Sequence, residues 1–276
     1  MKGNAFTRFK ISSVIINLFF AVMAIIAILP FIYMLFTSFR QVYSLGDLNF
    51  KLQEFNINNY KSIFNNFPFL QYFFNSSFVV LLSCFLNIMI ASLAGFGFAK
   101  KKFPGREIIF FFFLATLMIP GQVTIIPVYV IMNKLNLLNT LAALILPTIG
   151  AFGVFMMRQF MVSLPDELLE AARIDGCKEL ATYFTIVIPL IRPVIISLTI
   201  FTFISVWNDF IWPLVVISDK TKATLTLGLS VLQGVYRTNY GLLMAGSVLT
   251  FLPPFLLYIF FQKKFIEGIA LSGIKG

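Results

Sequence analysis

Acidic side chains are concentrated in one stretch of this chain. Five of its eleven Asp and Glu residues lie between residues 163 and 193, namely Asp166, Glu167, Glu170, Asp175 and Glu179. The chain has no His and two Cys, so the commonest general base is missing. No zinc-ligand spacing, phosphate-binding glycine loop or catalytic triad is present in the sequence. The pattern therefore favours binding to a partner over catalysis, and it predicts neither a metal site nor a cofactor.

The local chemistry of this stretch predicts two short helices joined by a turn. Ser163 and Asp166 have the spacing of a capping box, and the first helix is expected to run to Ile174. Gly176 tolerates the left-handed backbone conformation that ends helices. Residues 177–186 form a second helical run. A solvated loop between two membrane helices is the simplest interpretation of such a segment.

The remainder of the chain has the composition of a membrane protein. Of its 276 residues, 59% are hydrophobic and 12% are charged, against about 25% charged in soluble domains. A spanning helix needs about 20 mostly apolar residues. The sequence predicts an all-α integral membrane protein with six transmembrane helices. The predicted spans are residues 13–36, 75–99, 108–130, 141–161, 188–206 and 241–261.

Basic residues predict the orientation of these spans. With the N-terminus inside, fourteen Lys and Arg residues fall on the inner side and seven on the outer side. The positive-inside rule then places both termini, and the loop of residues 163–189, in the cytoplasm.

Prolines interrupt several of the predicted spans, at Pro120, Pro127, Pro147 and Pro253. Each removes a backbone hydrogen bond and can kink its helix, which a bundle absorbs by repacking. The breaks either shape a cavity or let helices swing, or they are kinks that simply pack well. The sequence leaves both interpretations open.

The acidic stretch resembles a known motif. Glu170-Ala171-Ala172, Gly176 and the apolar Ile-x-Ile-Pro run at 186–189 resemble the EAA motif of ABC-importer permeases. In that family the loop is a cytoplasmic coupling helix that docks on an ATPase subunit.

The resemblance assigns roles to individual residues of the loop. It implies that Glu170 is a polar anchor to the ATPase, that Ala171 and Ala172 allow close approach, and that Gly176 sets the turn. Asp175 either contacts the ATPase or pairs locally with Arg173 or Lys178.

Further segments extend the resemblance over nearly the whole chain. They are residues 118–127, 135–140, 207–214, 240–245 and the glycine-rich tail 268–276. Together they resemble the six-helix, maltose-permease-like subunit of carbohydrate-uptake ABC importers and imply its type I permease fold. The implied division is an N-terminal part, 1–70, a permease domain, 71–262, and a cytoplasmic tail, 263–276. Leu271 and Ser272 depart from the Ala-Gly pair of the family tail.

The resemblance also implies partners and a place in the cell. The chain is expected to lie in the lipid bilayer of a bacterial cytoplasmic membrane and to have no ATP site of its own. It is expected to work with a second permease subunit, a cytoplasmic ATPase dimer and an extracellular solute-binding protein that meets residues 219–239. Nucleic acid is not an expected partner, since many basic residues lie at the ends of apolar runs.

Polar and aromatic residues suggest a path for a sugar. Sugar recognition uses aromatic faces together with amide or carboxylate groups, and in the maltose type the partner permease carries most of these contacts. Asn87 is equally compatible with a hydrogen bond between helices, and Asp209 with a solvated cap. The candidates are Asn87, Gln122, Trp207, Asn208 and Asp209.

Three other functions fit the sequence less well. A permease for another solute, such as a polyol, glycerol phosphate or peptide, is the nearest alternative, but phosphate favours a basic cavity and the predicted spans have no Lys or Arg at their centres. An intramembrane enzyme needs ionisable groups there as well. A stand-alone channel or secondary transporter does not explain the loop of residues 163–189, here called the acidic loop.

Overall fold

A computed structural model of the chain describes residues 3–43, 55–230, 232 and 239–273, with side chains over 14–43, 55–230, 232 and 239–262. The described residues form helices, with no strand among them. The α-helices are α1 Gly3–Ser38, α2 Asn58–Asn66, α3 Phe69–Lys100, α4 Arg106–Leu117, α5 Gly121–Lys134, α6 Leu141–Ile145, α7 Ala151–Val162, α8 Glu167–Ile174, α9 Glu179–Thr182, α10 Ile188–Leu190, α11 Arg192–Trp207, α12 Ile211–Val216, α13 Leu225–Ser230 and α14 Tyr240–Gly273.

Four stretches of helix are long and apolar enough to cross a membrane unbroken. They are Val14–Ser38, Phe69–Lys100, Leu141–Val162 and Tyr240–Gln262. Two further pairs meet the same criterion only together, because α4 and α5 are bent by 106° and Glu179–Leu190 is bent by 75° from α11. The all-α membrane architecture is confirmed. The interruption predicted at Pro120 is present in the span 108–130, and the span 188–206 is bent close to its start, between Leu190 and Arg192.

The prolines have different effects on the helices that contain them. Pro120 has extended backbone angles, φ −58° and ψ 132°, and separates α4 from α5. Pro147 lies in a short 3-10 segment, Leu146–Thr148, between α6 and α7. Pro127, in contrast, lies inside α5 without ending it. Proline lacks a backbone N–H, so it is tolerated in the first turn of a helix, whereas in a helix interior it removes a hydrogen bond and can kink or end the helix.

The chain divides into two compact units, of which the first comprises residues 1–68 and 229–251. Buried Asn59 of α2 holds it together, because its amide donates to the carbonyl oxygens of Ser38, at 2.9 Å, and Arg40, at 2.8 Å. The N–H of Tyr240 donates to the carbonyl of Val42 at 2.7 Å. A Cβ at Gly241 would collide with the carbonyl of Arg40, so only glycine fits there.

The second unit comprises residues 69–228 and 252–276, and α3 is its central element. This helix packs against α7 and α11. Glycines allow the closest approach, since a Cβ at Gly95 would lie 2.6 Å from the Met157 Cβ, and one at Gly153 would lie 3.0 Å from the Ala91 Cβ. Around these positions lies a buried apolar cluster formed by Ala91, Phe98, Phe110, Val154, Met157, Met161, Tyr183, Val187, Ile191, Val194 and Leu198.

Candidate functional site

The acidic loop is built around α8 and the turn that ends it. The N–H of Gly176 donates to the carbonyl of Arg173 at 3.0 Å, and that of Cys177 donates to Ala172 at 2.9 Å. This pair of bonds is the Schellman arrangement. Gly176 has φ +80°, as the sequence predicts for a glycine that ends the helix. The turn predicted at Gly176 is therefore confirmed.

The predicted capping box at the start of the loop is wrong. Ser163 is the C-cap residue that immediately follows α7, and its hydroxyl donates to the carbonyl of Phe160 at 2.7 Å. Asp166 immediately precedes α8, and no side-chain cap bond forms there. A serine hydroxyl can satisfy a preceding carbonyl as readily as a following N–H, so the spacing alone could not distinguish the two.

The residues of the motif face in two directions. Glu170, Ala171 and Asp175 are exposed, whereas Ala172 is 4% exposed and packs against the body of its unit. Within the described residues Asp175 forms no ion pair with Arg173 or Lys178, although the sequence allowed one. The outward surface of α8 also carries an apolar residue, Ile174, which is 86% exposed. The sequence signal for its exposure was that this Ile lies between two charged residues, Arg173 and Asp175.

The second helical run is irregular. After α9 the backbone forms a π-helical turn over Tyr183–Val187 and then enters α10. Inside this turn the Tyr183 hydroxyl lies 2.6 Å from the Ser92 hydroxyl of α3. The helical run thus continues to Leu190, beyond residue 186. A π-turn that includes a buried hydrogen bond between helices fixes this side of the loop to α3.

Two consecutive lysines at the C-terminal end of α3 contact the residues that flank α8: Lys100 is the last residue of the helix, and Lys101 follows it. The Lys100 ammonium donates to the Leu164 carbonyl at 2.6 Å and to the Asp166 carboxylate at 2.6 Å. The Lys101 ammonium pairs with Glu179, just beyond the turn that follows α8. We call these two lysines and their three partners the loop clamp. The hydrogen bond and positive charge of Lys100 hold the pKa of the Asp166 carboxyl below its usual range.

A second ion pair joins the neighbouring helices. Arg158 of α7 donates two hydrogen bonds to the Glu107 carboxylate, at 2.8 and 3.0 Å. Its guanidinium also lies 3.9 Å from the ring centre of Phe110. Both hydrogen bonds come from one guanidinium nitrogen, Nη2, and the contact with the Phe110 ring adds a cation–π interaction. This ion pair joins the start of α4 to the end of α7, beside the loop clamp.

A cavity of about 580 Å³ lies in the same unit. Its walls are aromatic and hydroxyl-rich, and among the described residues that line it none is Lys or Arg. The Asn87 amide donates to the Thr202 hydroxyl at 3.0 Å and so joins α3 to α11. Among the described residues none bonds the Asn87 Oδ1 atom. The lining residues are Asn87, Gly121, Thr124, Ile125, Val128, Pro147, Thr148, Gly150, Phe152, Gly153, Phe201, Thr202, Ser205, Val206, Asp209 and Trp212.

The five residues suggested for a sugar path are only partly brought together. Asn87 and Asp209 line the cavity, while Gln122 is exposed beside it and absent from its lining. Trp207 is 3% exposed and stacks on Phe203 at 5.6 Å between ring centres. The Asn208 amide donates to the Ile204 carbonyl of its own helix at 2.9 Å.

Aromatic and hydroxyl residues of the lining were missed at the sequence level. They are Thr124, Thr148, Phe152, Phe201, Thr202, Ser205 and Trp212. In a chain with 35 Phe, no sequence signal distinguished the two that face the cavity.

A second loop lies at the far end of α3. The Asn75 amide, near the start of α3, donates to the carbonyls of Thr221 and Ala223, both at 2.9 Å. From Asn75 to Lys100 the helix rises about 37 Å, more than the roughly 30 Å hydrocarbon core of a bilayer. The loop around Thr221 and the acidic loop therefore lie at opposite ends of a helix that is long and apolar enough to cross a membrane.

Other predicted sites fall partly or wholly outside the described residues. Of the predicted binding-protein segment 219–239, residues 231 and 233–238 are not described. The side chains of the tail, 263–276, are not described either. In the described part of the chain no group of three or more Cys, Asp or Glu side chains lies close enough to hold a metal ion.

Comparison with known proteins identifies the family. The model of one family, described as "Binding-protein-dependent transport system inner membrane component", matches residues 87–269. The chain belongs to this family. It is thus a membrane component of a transport system and a multi-pass protein of the cytoplasmic membrane, and its family is that of the ABC-importer permeases.

Individual permeases match over almost their full length. The arabinooligosaccharides transport system permease protein AraQ of Halalkalibacterium halodurans is 38% identical, with 96% of this chain and 98% of the relative covered. The AraQ protein of Bacillus subtilis is 34% identical, with 98% of each covered. The lactose transport system permease protein LacG of Rhizobium radiobacter is 33% identical, with 91% and 92% covered.

Solved structures support the fold. A bacterial ABC transporter involved in the import of the acidic polysaccharide alginate matches with a TM-score of 0.83. The two chains are 21% identical, and the match covers 92% of this chain and 96% of the other. The type I permease fold expected from the sequence is therefore confirmed.

Proposed function

We propose that this permease moves a neutral sugar or oligosaccharide across the cytoplasmic membrane, driven by ATP hydrolysis on a separate subunit. The observation that carries the proposal is the cavity next to α3. Its aromatic faces, Phe152, Phe201 and Trp212, suit the apolar faces of sugar rings. Hydroxyl and amide groups between them suit sugar hydroxyls, and arginine or lysine, which a phosphorylated solute favours, is absent from the described lining.

The relatives support a saccharide and also define the alternative. Arabino-oligosaccharide and lactose permeases are among the similar proteins. The sn-glycerol-3-phosphate transport system permease protein UgpE of Pectobacterium atrosepticum is 34% identical over 75% of this chain. A phosphorylated solute is therefore the second candidate, and the charge of the cavity favours the first.

The loops at the two ends of α3 are assigned to the two soluble partners. Basic residues favour a cytoplasmic position for the acidic loop, so exposed Glu170 and Ala171 are available to an ATPase dimer, with Ile174 beside them. The loop around Thr221 then faces outwards, towards a solute-binding protein. A second permease subunit completes the pathway for the solute. The proposal also includes the division of the chain into an N-terminal part, 1–70, a permease domain, 71–262, and a cytoplasmic tail, 263–276.

Solute uptake tests the proposal. The permease is purified from its own membranes with its partners and reconstituted in liposomes with the binding protein. ATP-dependent uptake of an arabino-oligosaccharide or lactose is expected, without uptake of glycerol 3-phosphate. Trp212→Ala should reduce saccharide uptake, whereas Phe111→Ala, which alters a side chain 66% exposed on α4, should not. Uptake of the phosphorylated solute alone would favour the second candidate.

A further inference from the structure

The loop clamp contains a buried charge that the assigned functions do not explain. The Lys100 side chain is 6% exposed, yet its partner Asp166 is 74% exposed. A lysine at the end of a membrane helix ordinarily extends to water at low free-energy cost. Here the ammonium is instead directed to the connection between α7 and α8. The two hydrogen bonds that it donates there satisfy the buried charge.

We infer that Lys100 is a positioning residue that makes α3 move together with α8, so that displacement of the acidic loop by the ATPase reaches the wall of the solute cavity. This inference rests on the proposed function, because it requires an ATPase at the loop. Lys100 touches neither the solute nor the ATPase in this account. It acts only through the position of α8 relative to α3.

The clamp holds α8 at its two ends. Lys100 contacts Leu164 and Asp166, which precede the helix, and Lys101 pairs with Glu179, which follows its terminal turn. Lys100 is the last residue of α3, and Lys101 follows it directly, with its N–H donating to the carbonyl of Gly97 at 3.1 Å. Because both contacts come from the C-terminal end of α3, the eight-residue helix α8 is expected to move with that end.

The other end of the path is the cavity. Asn87 lies on α3 thirteen residues before Lys100, about 20 Å along the helix, and lines the cavity. Its hydrogen bond to Thr202 joins α3 to α11 at the same level. A displacement of α3 at Lys100 therefore changes the position of a cavity wall without any further moving part.

The two lysines should not contribute equally. The side chain of Lys101 is 27% exposed and that of Glu179 is 68% exposed, so water and salt screen their ion pair. Lys100 is buried and also bonds a backbone carbonyl, which salt does not displace. Loss of Lys100 should therefore uncouple the loop more than loss of Lys101.

The test compares solute uptake with ATP hydrolysis in the reconstituted complex. Lys100→Met is compared with Lys102→Met, which removes an exposed neighbour on the same basic segment. For Lys100→Met we expect an intact complex, hydrolysis within about twofold of the native rate, and solute moved per ATP lowered about fivefold, the low end of coupling between sites. Lys102→Met should leave that ratio unchanged, and Lys100→Arg should restore part of it.

Asp166→Asn keeps the test decisive if Lys100→Met does not assemble. It removes the ion pair but leaves the buried lysine and the Leu164 bond, so the ratio should fall in the same direction by a smaller factor. The inference is overturned if both variants keep the native ratio. It is also overturned if uptake and hydrolysis fall together because the ATPase is lost. Absence of ATP-driven uptake in the native complex would instead reject the proposed function.

Discussion

Gly176 is the residue in the acidic loop whose role depends most on backbone conformation. Its φ of +80° is unfavourable for any residue with a Cβ, although no atom would touch that Cβ within 4 Å. Gly176→Ala should therefore cost about 1 kcal/mol through strain alone. Gly97→Ala is the matched control, since Gly97 lies within α3 and its added Cβ also meets nothing. Alanine favours helices, so Gly97→Ala should be neutral or slightly stabilising.

The measurement is the apparent Tm of the purified permease in detergent. A lower Tm for Gly176→Ala and an equal or higher one for Gly97→Ala is the expected pattern. Equal shifts in both variants would show that the left-handed turn carries no special strain.

Gly153 tests close packing rather than backbone conformation. A Cβ there would lie 2.7 Å from the Asn87 Oδ1 atom and 3.3 Å from Leu198. Gly153→Ala should destabilise the permease by about 1–3 kcal/mol, because α3 and α7 must separate. Thermal unfolding compared again with Gly97→Ala checks this. A Tm at or above the native value for Gly153→Ala would mean that the helices adjust freely at this level.

Single residues differed in how well the sequence predicted them. Gly176 was predictable because a left-handed helix end is a local property with a strong preference for glycine. Ser163 was misassigned because its hydroxyl could bond in either direction along the chain. Lys100 could be counted as basic, but its burial depends on residues 64 and 66 positions later in the sequence.

The connection between α3 and α8 should depend on pH. Lys100 lowers the pKa of the Asp166 carboxyl in the folded chain, so this ion pair adds stability above the ordinary Asp pKa. That stability is lost as the pH falls through the lowered value, where the folded protein also takes up the proton. Lys102 contributes in the same direction as Lys100.

The difference in Tm between the native chain and Asp166→Asn measures this contribution. It should be largest near neutral pH and should disappear in acid, below the usual range of Asp. A difference that stays constant over this range would show that Asp166 contributes through something other than its charge.

At the level of elements, the sequence predicted which segments are helical better than it predicted how those helices are bent. All six apolar stretches are helical, because about 20 apolar residues in a bilayer must satisfy their own backbone groups. An interruption at Pro120 was predicted, although not its angle of 106°, whereas the bend of 75° before α11 was not predicted. Pro120 and Pro127 look alike in the sequence. Pro120 nevertheless lies between α4 and α5, where the helix is interrupted, whereas Pro127 lies inside α5. The outcome depends on packing around each proline.

For the whole molecule, the family and fold followed from motif spacing, but the cavity did not. The EAA-like loop and the apolar stretches were local patterns that could be read along the chain. The cavity combines residues from Asn87 to Trp212, brought together by packing of α3, α7 and α11. Two of the five suggested solute residues line it, since polarity alone does not show which side a helix residue faces.

Co-purification tests the central claim, that the acidic loop of a transport permease binds a separate ATPase. The native chain, Glu170→Lys and the control Lys220→Glu at the opposite end of α3 are each affinity-purified from their own membranes in mild detergent. We predict that an ATPase and a second permease accompany the native chain and Lys220→Glu. Glu170→Lys should keep the second permease and lose the ATPase. A native chain that purifies alone and transports solute without ATP would contradict the account.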